Sequence, residues 1–227
     1  MRILRLIILG LLVIPSWIHA LLLRKKDKFK INVSVKRWCS IVISLLGYKL
    51  NVKGLENINV DKSIYFVSNH QGTFDPAIII AACNVPLSFI SKVENLKLPL
   101  IGSWSLTLGN IHFDRSAREG NIHMLRESAR RLKAGDNMLI FPEGTRSKCD
   151  NVSEFKVGSI QPAYLSKATI IPVTLNNSYA FDQSKPKSKL MGVTFGKPIP
   201  YEEYKKFSQE EVSVYLRDIV KKEIIEC

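Results

Sequence analysis

Short apolar runs alternate with helical patterns along most of this chain. Apolar runs of about four to eight residues bounded by turn residues are typical of buried strands. The predicted strands are Ile64–Ser68, Leu87–Lys92, Ile111–Phe113, Met138–Phe141, Ile170–Leu175 and Leu190–Phe195. Because helical patterns lie between several of them, we predict an α/β domain with a mixed, mostly parallel sheet flanked by helices.

Three of the intervening segments predict helices. Pro76–Cys83 is short and apolar, and Ser116 is predicted to begin a longer helix with Glu119 as its capping-box partner. Ser208 and Glu211 form a second capping box, which predicts a C-terminal amphipathic helix.

The N-terminal segment is more apolar than the rest. Ile3–Leu23 would form a helix of roughly 30 Å, close to the hydrocarbon thickness of a bilayer. A second apolar stretch, Trp38–Leu50, is too short to span comfortably and favours an interfacial position or a hairpin with the first helix. We therefore predict a membrane-anchoring helical segment at residues 1–50 and a catalytic domain at residues 51–227. Spanning and shallow insertion both remain open.

A cleaved signal peptide is the competing interpretation of this segment. Ile18-His19-Ala20 is a poor cleavage site, and Arg24-Lys25-Lys26 follows at once. Basic flanks on this side favour retention in the cytoplasm. We expect a membrane protein whose catalytic domain lies on the cytoplasmic side of the inner (plasma) membrane.

The charge balance restricts the partners. A formal net charge of +13 indicates anionic partners such as a membrane surface, phosphate-bearing substrates or an acidic carrier protein. A nucleic-acid partner is not expected, because the chain has no recognisable binding module. The four cysteines lie far apart without the spacing of a zinc or redox site, which suits ordinary thiols in a reducing compartment.

The first candidate chemistry follows the strand Ile64–Ser68. His70 falls in the turn that leaves this strand, where α/β sheets place their functional groups. An imidazole there can act as a base near neutral pH, and Asp75, five residues on, can orient it if the turn folds back. Asp75 before Pro76 is also a good helix N-cap, and both interpretations hold if the cap places the carboxylate.

The second candidate chemistry follows the strand Met138–Phe141. Gly144 lets the backbone approach a ligand, Thr145 offers a hydroxyl, and Arg146 offers a planar guanidinium suited to phosphate. A polar loop with a salt-bridged arginine is the alternative. A base after one strand and an anion site after another favour a single catalytic site.

The two segments together resemble a known family. NHQGTFDP at residues 69–76 and FPEGTRS at residues 141–147 are similar to the glycerolipid acyltransferases. Two weaker blocks, GNIHFDR at residues 109–115 and IIPV at residues 170–173, follow the family's order. Two positions depart from the pattern: Gly72 stands where serine is common, and His112 where an apolar residue is usual.

The resemblance implies acyl transfer from a thioester donor, either acyl-CoA or acyl carrier protein, to the free hydroxyl of lysophosphatidic acid. It implies that Glu143 takes part in the site, in a role left open between orienting the loop and orienting the glycerol. Arg146 is the first candidate to bind the acceptor phosphate, followed by Lys92 and Arg115. The donor serves as co-substrate, and no other cofactor is expected.

Alternative functions remain at this point. The acceptor could be another lyso-lipid or glycerol 3-phosphate, since each presents a hydroxyl, or the chain could be a non-catalytic lipid-binding membrane protein. A hydrolytic metal site would have to combine His70 and Asp75 with side chains such as His112 and His123. Their spacing gives no support for this, so we expect no metal.

Overall fold

The computed structural model describes residues 2–114 and 118–224. The α-helices are α1 (Arg2–Leu23), α2 (Lys28–Leu45), α3 (Asp75–Ala82), α4 (Pro99–Thr107), α5 (Arg118–Lys133), α6 (Gln161–Ser166), α7 (Tyr201–Tyr204) and α8 (Gln209–Lys222). The strands are β1 (Lys49–Lys53), β2 (Ile64–Ser68), β3 (Ser88–Lys92), β4 (Ile111–Phe113), β5 (Met138–Ile140), β6 (Thr169–Asn176) and β7 (Leu190–Phe195).

Within the described residues these strands form one seven-stranded sheet in the order β1-β7-β6-β2-β5-β3-β4. Neighbouring strands run parallel, except that β7 is antiparallel to β6. The predicted α/β class with a mixed, mostly parallel sheet is therefore confirmed. The strands of the parallel group end at one edge of the sheet, so the loops that follow them meet there.

The hydrophobic core lies on both faces of this sheet. Successive side chains of β2 point to opposite faces, and every residue of this strand is buried. Phe66 belongs to the cluster on one face, whereas Tyr65 and Val67 belong to the cluster on the other. This two-sided burial explains why β2 is apolar without interruption.

Two elements differ from the sequence-based expectations. The predicted apolar stretch Trp38–Leu50 is divided, because α2 ends at Leu45 and the edge strand β1 begins at Lys49. Gly47 lies between them with a left-handed φ of 80°, a conformation that glycine adopts without strain. Helix α4 was not predicted. The predicted helix start at Ser116 lies outside the described residues.

The two N-terminal helices pack against the sheet domain. Helix α2 begins after Asp27, whose carboxylate accepts hydrogen bonds from the first-turn amides of Phe29 and Lys30. Ala20 of α1 and Val35 of α2 are buried in the same core cluster as Phe66. Within the part of the chain that the structure describes, no helix has both the length and the hydropathy of a membrane span. The domain boundary after residue 50 stays a prediction.

Candidate active site

The two loops identified from the sequence lie side by side. Strand β2 pairs with β5 in parallel, so the loops leaving their carboxyl ends are neighbours. The amide of Ser147 donates to the carbonyl of His70 at 2.9 Å, and the amide of Lys148 donates to the carbonyl of Gln71 at 3.1 Å. Backbone pairing therefore brings the predicted base and the predicted anion site together.

His70 and Asp75 form a hydrogen-bonded pair. His70 Nδ1 lies 2.7 Å from Asp75 Oδ2, and the carboxylate is fully buried. The same oxygen accepts the amides of Gln71 at 2.6 Å and Gly72 at 2.9 Å. Because Nδ1 faces a carboxylate, it carries the proton in the neutral ring and leaves the lone pair on Nε2.

Asp75 is not the helix N-cap that the sequence suggested. Helix α3 begins at Asp75 itself, and Phe74 occupies the cap position without a side-chain hydrogen bond. The carboxylate turns back to bind the amides of the preceding loop, and Oδ1 is buried without a hydrogen-bond partner among the described residues. The loop amides therefore fix the Asp75 carboxylate in the position where it contacts the His70 imidazole.

The His70 ring is held on one face and open at its edge. It stacks on Phe141, with 4.1 Å between the ring centroids and 18° between the planes. Its side chain retains 19% exposure, so the imidazole stays accessible while its orientation is restricted. This combination suits a general base, which must reach its substrate in one geometry.

Glu143 holds the two loops to each other. This buried carboxylate accepts the His70 amide on Oε1 at 2.7 Å and the Ser153 amide on Oε2 at 3.0 Å. Burial raises the pKa of Glu143, while these amide donors act in the opposite direction. Of the two roles that the sequence left open, the geometry favours orientation of the loop.

The next residues of this loop lead to an open cleft that Arg146 lines. Gly144 has a left-handed φ of 71°, while Thr145 and Arg146 are exposed. Arg146 donates through Nη1 to the hydroxyl of Thr73. The cleft has a volume of about 560 Å³ and is lined by Thr73, Arg146, Lys148, Tyr179, Asp182 and Gln183. Lys148, Tyr179 and Asp182 were not predicted, because no local motif marks them.

The other two candidate cations are placed differently. Lys92 is the exposed last residue of β3, a strand that runs parallel to β5 and ends at the same edge of the sheet. Arg115 lies outside the described residues.

The two departures from the family pattern have structural explanations. A Cβ at Gly72 would lie 3.2 Å from Asp182 Oδ2 and from the carbonyl oxygen of Ser178, so the small residue lets the turn after β6 pack closely on the His70 loop. His112 Nε2 lies 2.8 Å from the hydroxyl of Ser105, and burial lowers the pKa of this imidazole. Among the described residues, no group of three or more metal-binding side chains occurs.

Comparison with known proteins agrees with this geometry. The family profile described as Acyltransferase matches residues 49–176, which is more than half of the chain. The chloroplastic 1-acyl-sn-glycerol-3-phosphate acyltransferase LPAT1 of Arabidopsis thaliana is 34% identical over 142 residues, covering 62% of this chain and 39% of the relative. The 1-acyl-sn-glycerol-3-phosphate acyltransferase of Haemophilus influenzae is 26% identical over 213 residues, covering 90% of this chain and 85% of the relative.

A third relative and a solved structure extend the comparison. The 1-acyl-sn-glycerol-3-phosphate acyltransferase of Borreliella burgdorferi is 29% identical, covering 67% of this chain and 61% of the relative. The chain thus spans less than two thirds of the length of the Arabidopsis and Borreliella relatives. The crystal structure of the 1-acyl-sn-glycerophosphate (LPA) acyltransferase PlsC of Thermotoga maritima is similar with a TM-score of 0.74 and 25% identity, covering 91% of this chain and 84% of that one.

Proposed function

This chain belongs to the acyltransferase family, and we propose that it moves a fatty acyl group from a thioester donor to the free hydroxyl of 1-acyl-sn-glycerol 3-phosphate, forming phosphatidic acid. The observation that carries the proposal is the His70–Asp75 pair, joined through the backbone to the loop that presents Arg146. The names of the relatives and of the similar solved structure support the same acceptor.

In the proposed reaction His70 Nε2 takes the proton of the acceptor hydroxyl as its oxygen attacks the thioester carbonyl carbon. Asp75 accepts the hydrogen bond from Nδ1–H and stabilises the imidazolium that forms. The carbon–sulfur bond then breaks, and the departing thiolate receives the proton from His70. No acyl-enzyme is needed, because the thioester is already activated.

The acceptor phosphate needs a fixed cation so that the hydroxyl arrives in line with His70. We assign this task first to Arg146, which borders the cleft and is held by Thr73. Lys92 stays the second candidate, because its strand ends at the same edge of the sheet. The same cleft is also lined by a second cation, Lys148, and therefore suits an anionic headgroup.

We also propose that the enzyme works on a membrane, with α1 inserted at its cytoplasmic surface. Leu11 and Leu22 are each 70% exposed and Ile14 is 63% exposed. Their helical spacing places them on one side of α1, and a contiguous exposed apolar surface of this kind is typical of a membrane or protein interaction site. The basic segment Arg24-Lys25-Lys26 follows directly and suits anionic lipid headgroups. An interfacial position requires no transmembrane span.

Product analysis tests the reaction. Purified protein is supplied with lysophosphatidate, other lyso-phospholipids or glycerol 3-phosphate, each with acyl-CoA and with acyl carrier protein. We expect phosphatidic acid from lysophosphatidate, abolished by His70→Ala and retained by His123→Ala, whose histidine is exposed on α5. Normal turnover by His70→Ala would disprove the mechanism, and preference for another acceptor would disprove the substrate assignment.

Vesicle flotation tests the membrane proposal. We expect the wild type to float with vesicles that contain anionic lipid and the double variant Leu11→Asp, Ile14→Asp to lose most of this binding. Val214→Asp is the matched control, since Val214 is an exposed apolar residue of α8. Equal flotation of all three proteins would show that α1 does not insert.

A further inference from the structure

A third loop packs against the segment that carries the catalytic pair. It is the turn Ser178–Asp182, which follows β6. Gln71, the fully buried neighbour of His70, reaches this turn through its side chain. Its Oε1 accepts the amide of Ser178 at 2.9 Å and the hydroxyl of the same residue at 3.0 Å. The residue next to the base is therefore bonded to a loop 107 positions further along the chain.

The amide nitrogen of the Gln71 side chain contacts Asp150. Gln71 Nε2 donates to Asp150 Oδ1 at 3.0 Å. The same oxygen accepts the backbone amide of Asn177 at 3.1 Å, and Oδ2 accepts the hydroxyl of Tyr179 at 3.0 Å. One carboxylate thus joins the His70 loop, the Arg146 loop and the turn after β6.

This carboxylate ends the segment that carries Arg146. Between Arg146 and Asp150, the amides of Ser147 and Lys148 are bonded to the carbonyls of His70 and Gln71. Asp150 therefore anchors the far end of a segment whose middle is already paired with the His70 loop. Without this anchor, the contacts that remain on the segment within the described part of the chain are the two backbone bonds to the His70 loop and the bond from Arg146 to Thr73.

We propose that Asp150 is a positioning residue that keeps Arg146 at a fixed distance from the His70 imidazole by holding Gln71. The proposal rests on the proposed function, because it assigns the acceptor phosphate to Arg146. Asp150 acts through Gln71 and the loop backbone, without contacting the reacting atoms. We define this set of contacts between Asp150, Gln71, Asn177 and Tyr179 as the loop latch.

The donors on the carboxylate determine which substitutions preserve the loop latch. In Asp150→Asn, the amide oxygen can occupy the Oδ1 position and accept from Gln71 and Asn177. Its Nδ2 then faces the Tyr179 hydroxyl, which can turn to accept a hydrogen bond. In Asp150→Ala, these donors lose their acceptor. If geometry is the function of Asp150, asparagine rescues what alanine loses.

Steady-state kinetics with lysophosphatidate test the proposal. For Asp150→Ala we expect the KM for lysophosphatidate to rise and kcat to fall, with kcat/KM reduced about ten- to hundredfold, because small misplacements of reacting groups are costly. The KM for the acyl donor should change little. Asp150→Asn should stay close to the wild type. Glu154→Ala, which removes an exposed carboxylate from the same connecting segment, should match the wild type.

Hydrogen exchange provides a readout that does not require turnover. The amides of Ser147 and Lys148 should exchange faster in Asp150→Ala than in the wild type, whereas in Asp150→Asn and Glu154→Ala they should not. If Asp150→Ala does not fold, Gln71→Ala opens the same loop latch from its other side and should give the same pattern. In the double variant Gln71→Ala, Asp150→Ala, kcat/KM for lysophosphatidate should not fall below that of the more damaging single variant, because Gln71 and Asp150 contact each other.

The outcomes separate this proposal from the proposed function. If the wild type does not acylate lysophosphatidate, the proposed function fails, and the exchange measurement alone decides the loop latch. Wild-type kinetics and exchange in Asp150→Ala would overturn the loop latch while leaving the proposed function intact. Equal losses in Asp150→Asn and Asp150→Ala would also overturn it, because charge would then matter instead of position.

Discussion

The substitution Asp75→Asn separates the charge of this residue from its geometry. The three donors on Asp75, from His70, Gln71 and Gly72, converge on the single oxygen Oδ2. They should select the rotamer that places the asparagine oxygen at this point. The amide nitrogen then places N–H donors at the buried Oδ1 position, where no partner is present among the described residues, so we expect the free energy of unfolding to fall by about 1 to 3 kcal/mol.

The rate should fall because the neutral amide stabilises the imidazolium less. Opposite charges about 4 Å apart interact by about 4 kcal/mol at an effective dielectric constant of about 20. A neutral hydrogen bond retains about 1 kcal/mol, and the open edge of the His70 ring adds some solvent screening. A net loss of about 2 to 3 kcal/mol in transition-state stabilisation corresponds to a kcat about 30- to 150-fold lower.

The assay is steady-state turnover of lysophosphatidate by the purified variant, with thermal unfolding as a control for folding. We expect kcat to fall while the KM for lysophosphatidate changes little, because the phosphate is bound elsewhere. Asp75→Ala should lose more, since it also removes the acceptor for two loop amides. Wild-type kcat in Asp75→Asn would show that the charge is unnecessary, and a changed KM with unchanged kcat would reassign Asp75 to binding.

Further predictions address the cation, the second histidine and the C-terminal helix. Arg146→Ala should raise the KM for lysophosphatidate about tenfold or more, since a hydrogen bond to a charged group contributes about 1.5 to 3 kcal/mol; an unchanged KM would place the phosphate elsewhere. Burial lowers the pKa of His112 from 6.5, so the unfolded chain binds its proton more readily and the wild type should lose stability as pH falls below this value. His112→Gln should show a smaller drop in melting temperature between about pH 7.5 and about pH 5, and an equal drop would contradict this. Ser208→Ala removes the capping box formed with Glu211 and should cost about 1 kcal/mol of stability at unchanged kcat; a lower kcat would link α8 to the site.

Several elements follow directly from local pattern. The bounds of β2, β4 and β7 agree with the predicted strands. β2 is a continuous apolar run that is buried on both faces, whereas β7 alternates between buried and more exposed residues. β1 was missed because Lys49–Lys53 carries few apolar side chains and lies at the edge of the sheet. Helix α4 was missed because it is mostly buried without a polar face, so no helical period distinguishes it.

In the candidate active site, too, some residues could be identified from local sequence and others could not. His70 and Arg146 were recognisable because each follows an apolar strand in a motif with distinct chemistry, and the complementary chemistry of the two loops favoured a single site. That their strands are neighbours is shown by the sheet order. The turn of Asp75 towards the preceding loop was not recognisable, since Asp-Pro is an ordinary helix start. The position of Arg115 stays a prediction.

Local composition was sufficient to place a base and a cation at the ends of two buried strands and to give this chain its α/β class. Asp150 could not be recognised in this way, because its partner Gln71 lies 79 positions away and neither residue belongs to a local period. Such a contact exists only after β2, β5 and β6 have taken their places in one sheet. Strand order and register, which no short segment encodes alone, therefore select the hydrogen-bond partners that surround the catalytic pair.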